Sequence, residues 1–420
     1  MTSPRPAPAG PPATGNSLML AMATAGFALN FWAWALLGPL GPSLRDQLDL
    51  TVTQQSMVVA VPVIVGSLGR IPVGTLTDQV GARLMFPVVS LLTILPVLYL
   101  GHVADSYGQL ILGGVFLGLG GTTFAIGIPF VNSWYPPHRR GTALGIFGAG
   151  MGGTAIAAFT TVPLVDLGGF AFPFNVVAVV LAVYAVVAWL LLRDLPGRTM
   201  PSGGLVSRTV GTLKIPATIP LALLYAVSFG GFVAFSVYLP TYLRNAFELT
   251  EADASFRTAG FVVLAIIMRP VGGILSDRIG PENVLTWVFG AVALLALVAS
   301  LELELIPIGT IAFLGMAAAL GAGAGGVFAL VAKLVPPEKV GAVTGFVGAA
   351  GGLGGFFPPL VMGAVFSATD SYAWGYVLLA LTAGVAFLYT AIVVRRQAAE
   401  RGRTEATDRA AERPQDGSNG

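Results

Sequence analysis

Hydrophobic residues run through this chain in long unbroken blocks, without the period-two alternation of strands or the one-sided stripe of soluble helices. Blocks of roughly 20 apolar residues suffice to cross a hydrocarbon core as helices. Twelve are predicted, at 17–42, 55–77, 83–102, 107–135, 140–162, 170–193, 215–243, 253–276, 282–302, 306–333, 340–365 and 373–395. Two ends fall outside this pattern. Residues 1–16 form a Pro/Ala/Gly tail, and 397–420 are charged, mixed in sign and without apolar periodicity, which predicts disorder in both. The first apolar run is too long for a signal-peptide core and is read as a retained helix.

Composition reinforces this reading. Of 420 residues, 55% are hydrophobic and only 10% charged, and the mean hydropathy is +0.82; soluble domains carry about a quarter charged residues. The chain is therefore an all-α polytopic membrane protein. The absence of cysteine excludes disulfide and thiol chemistry. The placement of charge says more than the net +2. Arg45, Arg244 and Arg257 fall on one face of the predicted bundle, whereas most other Lys and Arg fall on the opposite face or its tails. Basic loops stay cytoplasmic, so the prediction is a multi-pass protein of the cytoplasmic membrane with both termini inside. No nucleic-acid partner is needed to explain these residues; the lipid bilayer is the partner they imply.

Two arginines break the pattern by lying inside apolar blocks. The first opens the run Arg70-Ile71-Pro72-Val73-Gly74-Thr75-Leu76-Thr77-Asp78, and the second opens Arg269-Pro270-Val271-Gly272-Gly273-Ile274-Leu275-Ser276-Asp277, 199 positions later. A second block repeats at an offset of 200: Pro136-Pro137, Gly141, Gly145, Gly148 and Gly152 return as Pro336-Pro337, Gly341, Gly345, Gly348 and Gly352. The chain is thus read as two six-helix halves, 17–195 and 215–396, joined by a polar linker at 196–214 carrying Arg198, Arg208 and Lys214.

Each arginine lies eight residues from its aspartate, about 12 Å along a helix and hence near the middle of a ~30 Å core. A charge placed there costs from roughly 2.5 to over 10 kcal/mol, depending on the method. Both should face the protein interior. Two partners remain open. The guanidinium groups could tie down backbone carbonyls, or they could share a mobile anion; a buried carboxylate is excluded, because every acidic residue falls in a loop, a tail or a helix end. Glycines at spacings of three and four in the fifth span (Gly148, Gly150, Gly152) and the eleventh (Gly348, Gly351, Gly352) permit close helix packing. Placed beside the arginines, they also suggest a narrow site with backbone N–H and Cα–H groups exposed to a small anion. The spans hold no metal cluster, nucleophile–base pair or paired acids, which argues against an intramembrane enzyme and against a cofactor or metal.

Two pseudo-symmetric six-helix halves resemble the major facilitator architecture, whose substrate site lies between the halves near the midplane. The stretch Gly74-Thr75-Leu76-Thr77-Asp78-Gln79-Val80-Gly81-Ala82-Arg83 resembles that superfamily's loop between helices 2 and 3, and Gly273 to Gly280 is its second copy. By this resemblance Gly74, Asp78 and Arg83, with Gly273, Asp277 and Arg278, form a conformational latch in which each carboxylate faces the positive end of another helix. Gln79 replaces the usual basic residue.

The run Ser228-Phe229-Gly230-Gly231-Phe232, the Arg269 block and Gly351-Gly352-Leu353-Gly354-Gly355 are similar to the nitrate/nitrite porter family over nearly all of 17–395. The resemblance implies that Arg70 and Arg269 clamp a planar anion, that Tyr225 donates a hydroxyl, and that Phe124 and Phe229 cover its faces; by spacing alone these three aromatics read equally as packing. Met151 stands where the family usually has Asn. The function expected is nitrate/nitrite antiport by a carrier acting as a monomer, with proton-coupled nitrate symport or carriage of another small anion as alternatives. Antiport is preferred because no mid-helix Asp, Glu or His offers a proton site.

Overall fold

The computed structural model describes residues 15–196, 211–336 and 339–397. The tail and linker expectations, apart from Lys214 and the linker's nearest flanks, lie outside these residues. The described chain is helical, with no strand among the described residues.

The first half comprises α1 (Ser17–Trp34, continued by Leu37–Gln47), α2 (Val52–Val80), α3 (Ala82–His102) and α4 (Tyr107–Leu117, then Thr123–Trp134). It is completed by α5 (Arg140–Gly148, then Gly153–Gly168) and α6 (Phe172–Leu191). The second half comprises α7 (Thr218–Phe247), α8 (Glu251–Ile279), α9 (Pro281–Ser300), α10 (Thr310–Leu334), α11 (Val340–Thr369) and α12 (Ala373–Tyr389). Eleven of the described helical stretches are long and apolar enough to cross a membrane. The remaining long helix, α2, spans 29 residues and carries Ser67, Arg70, Thr75, Thr77, Asp78 and Gln79 in its second half. Its polarity is concentrated where it meets the other half.

The duplication is visible in the helix ends as well as in the sequence. Thr51 caps α2 by accepting from the Gln54 N–H at 3.2 Å, and Thr250 caps α8 by accepting from the Asp253 N–H at 3.3 Å. Each satisfies a donor that no helical carbonyl can reach. Both helices end at a glycine with positive φ, Gly81 at 98° and Gly280 at 88°. That conformation is open to glycine at little cost and turns the chain directly into α3 and α9.

Two long seams join the halves, α2 against α11 and α5 against α8. Glycine makes both possible. A Cβ on Gly74 would come within 2.5 Å of the Gly341 carbonyl oxygen, and a Cβ on Gly273 would overlap the Gly141 carbonyl oxygen. Without side chains at these crossings, the backbones of α2 and α11, and of α5 and α8, approach closely.

The fourth and fifth spans differ from the expectation of continuous helices. Each tightens to a 3-10 turn at mid-span, Gly118–Thr122 in one and Ala149–Gly152 in the other. Both segments are glycine-rich, so no side chain fixes the hydrogen-bond spacing there, and packing against α1 and α2 decides it.

Candidate anion site between the halves

Arg70 and Arg269 come from α2 and α8 at equivalent depth, and both are buried, at 1% and 3% exposure. Among the described residues neither makes an ion pair. Their partners are neutral. Arg70 Nε donates to the Gly121 carbonyl at 3.1 Å and Nη1 to the Gly348 carbonyl at 2.8 Å. Gly121 belongs to the 3-10 turn of α4 and Gly348 to α11, so this side chain bridges the halves. Arg269 Nη1 approaches the Met151 sulfur at 2.6 Å, and Nη2 donates to the Tyr225 hydroxyl at 2.9 Å. The carbonyl-tethered reading thus describes the contacts of Arg70 and not those of Arg269.

Aromatic faces complete the enclosure. The Arg70 guanidinium carbon lies 5.2 Å from the Phe124 ring centre and 5.8 Å from those of Phe31 and Phe229. The Arg269 carbon lies 5.6 Å from both Phe124 and Phe229. Tyr225 stacks between these two phenylalanines, 6.1 Å from Phe124 and 5.0 Å from Phe229, its plane within 6° of each. Ring faces attract cations, and the attraction grows when water is excluded. Neither rings nor carbonyls cancel a charge. The distances of 5.2 and 5.6 Å to Phe124 hold the guanidinium centres within about 11 Å of one another, so at an effective dielectric near 20 they repel by at least roughly 1.5 kcal/mol. Among the described residues no carboxylate pairs with either guanidinium in this buried, aromatic-walled centre.

The predicted glycines separate into groups. A Cβ on Gly148 would overlap Arg269 Nε; one on Gly348 would sit 3.1 Å from Arg70 Cδ; one on Gly351 would overlap the Tyr225 ring and reach 3.0 Å from Phe229. These three shape the site. Gly352 meets Ser67 instead. A Cβ on Gly150 would meet α1, 2.6 Å from Phe27 and 2.9 Å from the Thr24 carbonyl. Gly152 has no neighbour within 4 Å of its Cβ position, which opens onto free space.

The latch residues also divide. Asp277 accepts from the Gly141 N–H at 2.7 Å and from the Thr142 N–H and hydroxyl, both at 2.6 Å, at the N-terminus of α5. Asp78 accepts from the Ala342 N–H at 3.0 Å at the N-terminus of α11. Each carboxylate therefore meets unpaired helix donors of the other half. The side chains of Arg83 and Arg278 are exposed, beyond the Gly81 turn and within the last turn before Gly280, and the Arg83 backbone N–H donates to Asp194 at 3.2 Å.

Phe31, Phe328 and the Gly121 carbonyl belong to the site and were not anticipated. Phe328 packs edge-on against Phe124 at 4.9 Å and Tyr225 at 4.6 Å. A signal for Phe31 was present: Phe27 and Phe31 in α1 stand 198 positions before Tyr225 and Phe229 in α7.

Two six-helix halves meeting around a central enclosed site define a membrane transporter architecture. The family model described as Major Facilitator Superfamily matches residues 23–301 and 221–416. A probable nitrate/nitrite transporter NarK2 of Mycobacterium tuberculosis is 46% identical over 92% of this chain and 98% of its own. A nitrite extrusion protein of Bacillus subtilis is 37% identical over 88% and 93%. Among solved structures, the transporter FucP in its outward conformation superposes with a TM-score of 0.72 over 88% of this chain and 97% of its own, at 18% identity. The chain belongs to the Major Facilitator Superfamily and, within it, to the nitrate/nitrite porter family.

Proposed function

We propose that this chain carries nitrate and nitrite across the cytoplasmic membrane by alternating access, exchanging one for the other. The observation that carries the reading is the pair of buried arginines from opposite halves, walled by Phe124 and Phe229 and lacking any carboxylate among the described residues. A planar oxyanion supplies the missing charge. Guanidinium groups match its geometry, and charge-assisted hydrogen bonds replace mutual repulsion. Relatives named for nitrate and nitrite transport support this choice of anion.

The mechanism follows from the cost of an empty site. Arg70 and Arg269 approach only when the halves close, and closing without an anion leaves two desolvated charges facing each other. The loaded carrier therefore crosses readily and the empty one slowly, which favours exchange over net flux. Asp78 and Asp277 seal the basic face, which the distribution of Lys and Arg places in the cytoplasm. Their hydrogen bonds to α11 and α5 must break for the site to open inward.

Counterflow in proteoliposomes tests the exchange. Nitrite trapped inside should accelerate nitrate entry with no pH gradient. Stoichiometric proton entry with nitrate, unaffected by internal nitrite, would instead establish proton-coupled symport.

A further inference from the structure

Buried hydroxyls in these helices commonly turn back onto their own backbone. Thr24, Thr75, Thr77, Thr93 and Ser228 each donate to the carbonyl four residues earlier, a usual way to satisfy a hydroxyl where water is absent. Among the described residues the hydroxyls of Ser67, Thr161 and Thr344 depart from this, and of the three Ser67 alone shares a helix with Arg70. Ser67 is as buried as Arg70, and its Oγ has no hydrogen-bond partner. A buried hydroxyl without a partner is costly and calls for an explanation.

Its position supplies one. Ser67 precedes Arg70 by three residues on α2, so the two share a helix face. Side chains in a helix lean toward its N-terminus, so the Arg70 stem runs back over the turn that holds Ser67. Across the seam, a Cβ on Gly352 would overlap Ser67 Oγ, while Arg70 Nη1 donates to the Gly348 carbonyl one turn earlier on α11. Hydroxyl and guanidinium thus bracket a single turn of α11 at the boundary between the halves. The other half has no counterpart: the residue 199 positions on is Ile266.

We propose that Ser67 is a further substrate-contacting residue whose hydroxyl donates to one oxygen of a planar oxyanion held between Arg70 and Arg269; this rests on the anion-carrier reading above. Nitrate offers three oxygens and nitrite two. A hydroxyl placed to meet the third oxygen favours the anion that has one. Ser67 thereby sets the preference for nitrate over nitrite.

The test measures nitrate and nitrite dissociation constants separately on the purified full-length chain in lipid nanodiscs, for wild type, Ser67→Ala and Arg269→Lys. Ser67→Ala should weaken nitrate binding about tenfold and nitrite binding no more than about twofold, the size expected for losing one hydrogen bond to a charged group. Nitrate binding unchanged in Ser67→Ala, or equal losses for both anions, overturns the assignment while leaving the carrier reading intact. Wild-type binding of both anions by Arg269→Lys overturns the carrier reading and this assignment with it.

Discussion

Arg70 and Arg269 occupy equivalent places in a duplicated chain, yet their surroundings differ in kind. Arg70 is fastened to backbone, one carbonyl from each half. Arg269 rests against a thioether and a phenol. Backbone carbonyls are fixed by their helices, whereas the Met151 and Tyr225 side chains can turn away. The first arginine therefore doubles as a crosslink between α2, α4 and α11, while the second has side-chain partners only. On the proposed anion-carrier reading, one half of the site would be fixed and the other would yield on binding and release.

The largest effects should come from the arginines themselves, and stability should separate them. Arg70→Lys and Arg269→Lys should each lower nitrate flux by about a hundredfold or more, because an ammonium cannot present a planar fork to an oxyanion. Only Arg70→Lys should also destabilise the protein, by about 1–3 kcal/mol, since its carbonyl partners lose a donor that nothing else replaces. Thermal unfolding in detergent, read beside flux, checks this. Equal stability losses in the two variants would erase the distinction.

Glycine substitution sharpens the same contrast without touching charge. A Cβ at Gly148 overlaps Arg269 Nε and lies 2.8 Å from its Cδ, whereas at Gly348 the nearest contact is 3.1 Å from Arg70 Cδ. Gly148→Ala should therefore displace the adaptable arginine and weaken nitrate binding by about tenfold to a hundredfold, the scale associated with a 1 Å misplacement. Gly348→Ala should weaken it by no more than about threefold, because the fixed Arg70 needs only a small adjustment. Binding isotherms in nanodiscs would decide; the reverse ranking would reassign which side yields.

Much of this arrangement was legible in the sequence, for identifiable reasons. Lipid demands long apolar helices, so span lengths show plainly, and a mid-span arginine is expensive enough to announce a buried function. The 199-residue offset of Arg70 and Arg269 carried the duplication, and Thr51 with Thr250 now shows it reaching the helix caps. Glycine-rich stretches were less readable. Without a side chain, Gly118–Thr122 and Ala149–Gly152 carry no record of whether each turn closes at three residues or four, so the inward carbonyl of Gly121 depends on packing. Phe31 was missed because its repeat offset is 198 and belongs to a third block. Ser67 could not be read at all, since an unpaired hydroxyl is a property of three-dimensional surroundings.

The latches offer a further, smaller test, now of the ends of the two seams. Asp277 receives a side-chain hydroxyl from Thr142, whereas Ala342 occupies the corresponding place opposite Asp78. Thr142→Ala should remove one charge-assisted hydrogen bond, of about 1.5–3 kcal/mol, and shift the population toward a carrier open at the basic face. The native chain has no cysteine, so one introduced beside the α5 N-terminus can report that opening by its rate of thiol labelling. Labelling should quicken in Thr142→Ala and slow again when saturating nitrate favours the closed site. An unchanged rate would show that the hydroxyl contributes nothing to holding the seam.

The smallest expected effect concerns Met151, the soft partner of Arg269. A thioether is a weak acceptor and cannot donate, so it holds Nη1 loosely and offers the anion nothing. Met151→Asn would supply an amide that both accepts from the arginine and donates toward an oxyanion. If this residue faces the anion, nitrate affinity should rise by about threefold to tenfold, the range of one modest hydrogen bond. A tighter hold on Arg269 has a second consequence. The adaptable half of the site would come to resemble the fixed half, and release should slow as affinity rises. Flux at saturating nitrate should then fall while the half-saturation concentration drops. Improved affinity with undiminished maximal flux would show that the thioether is not what keeps Arg269 free to move, and that the asymmetry between the two arginines resides in Tyr225 alone.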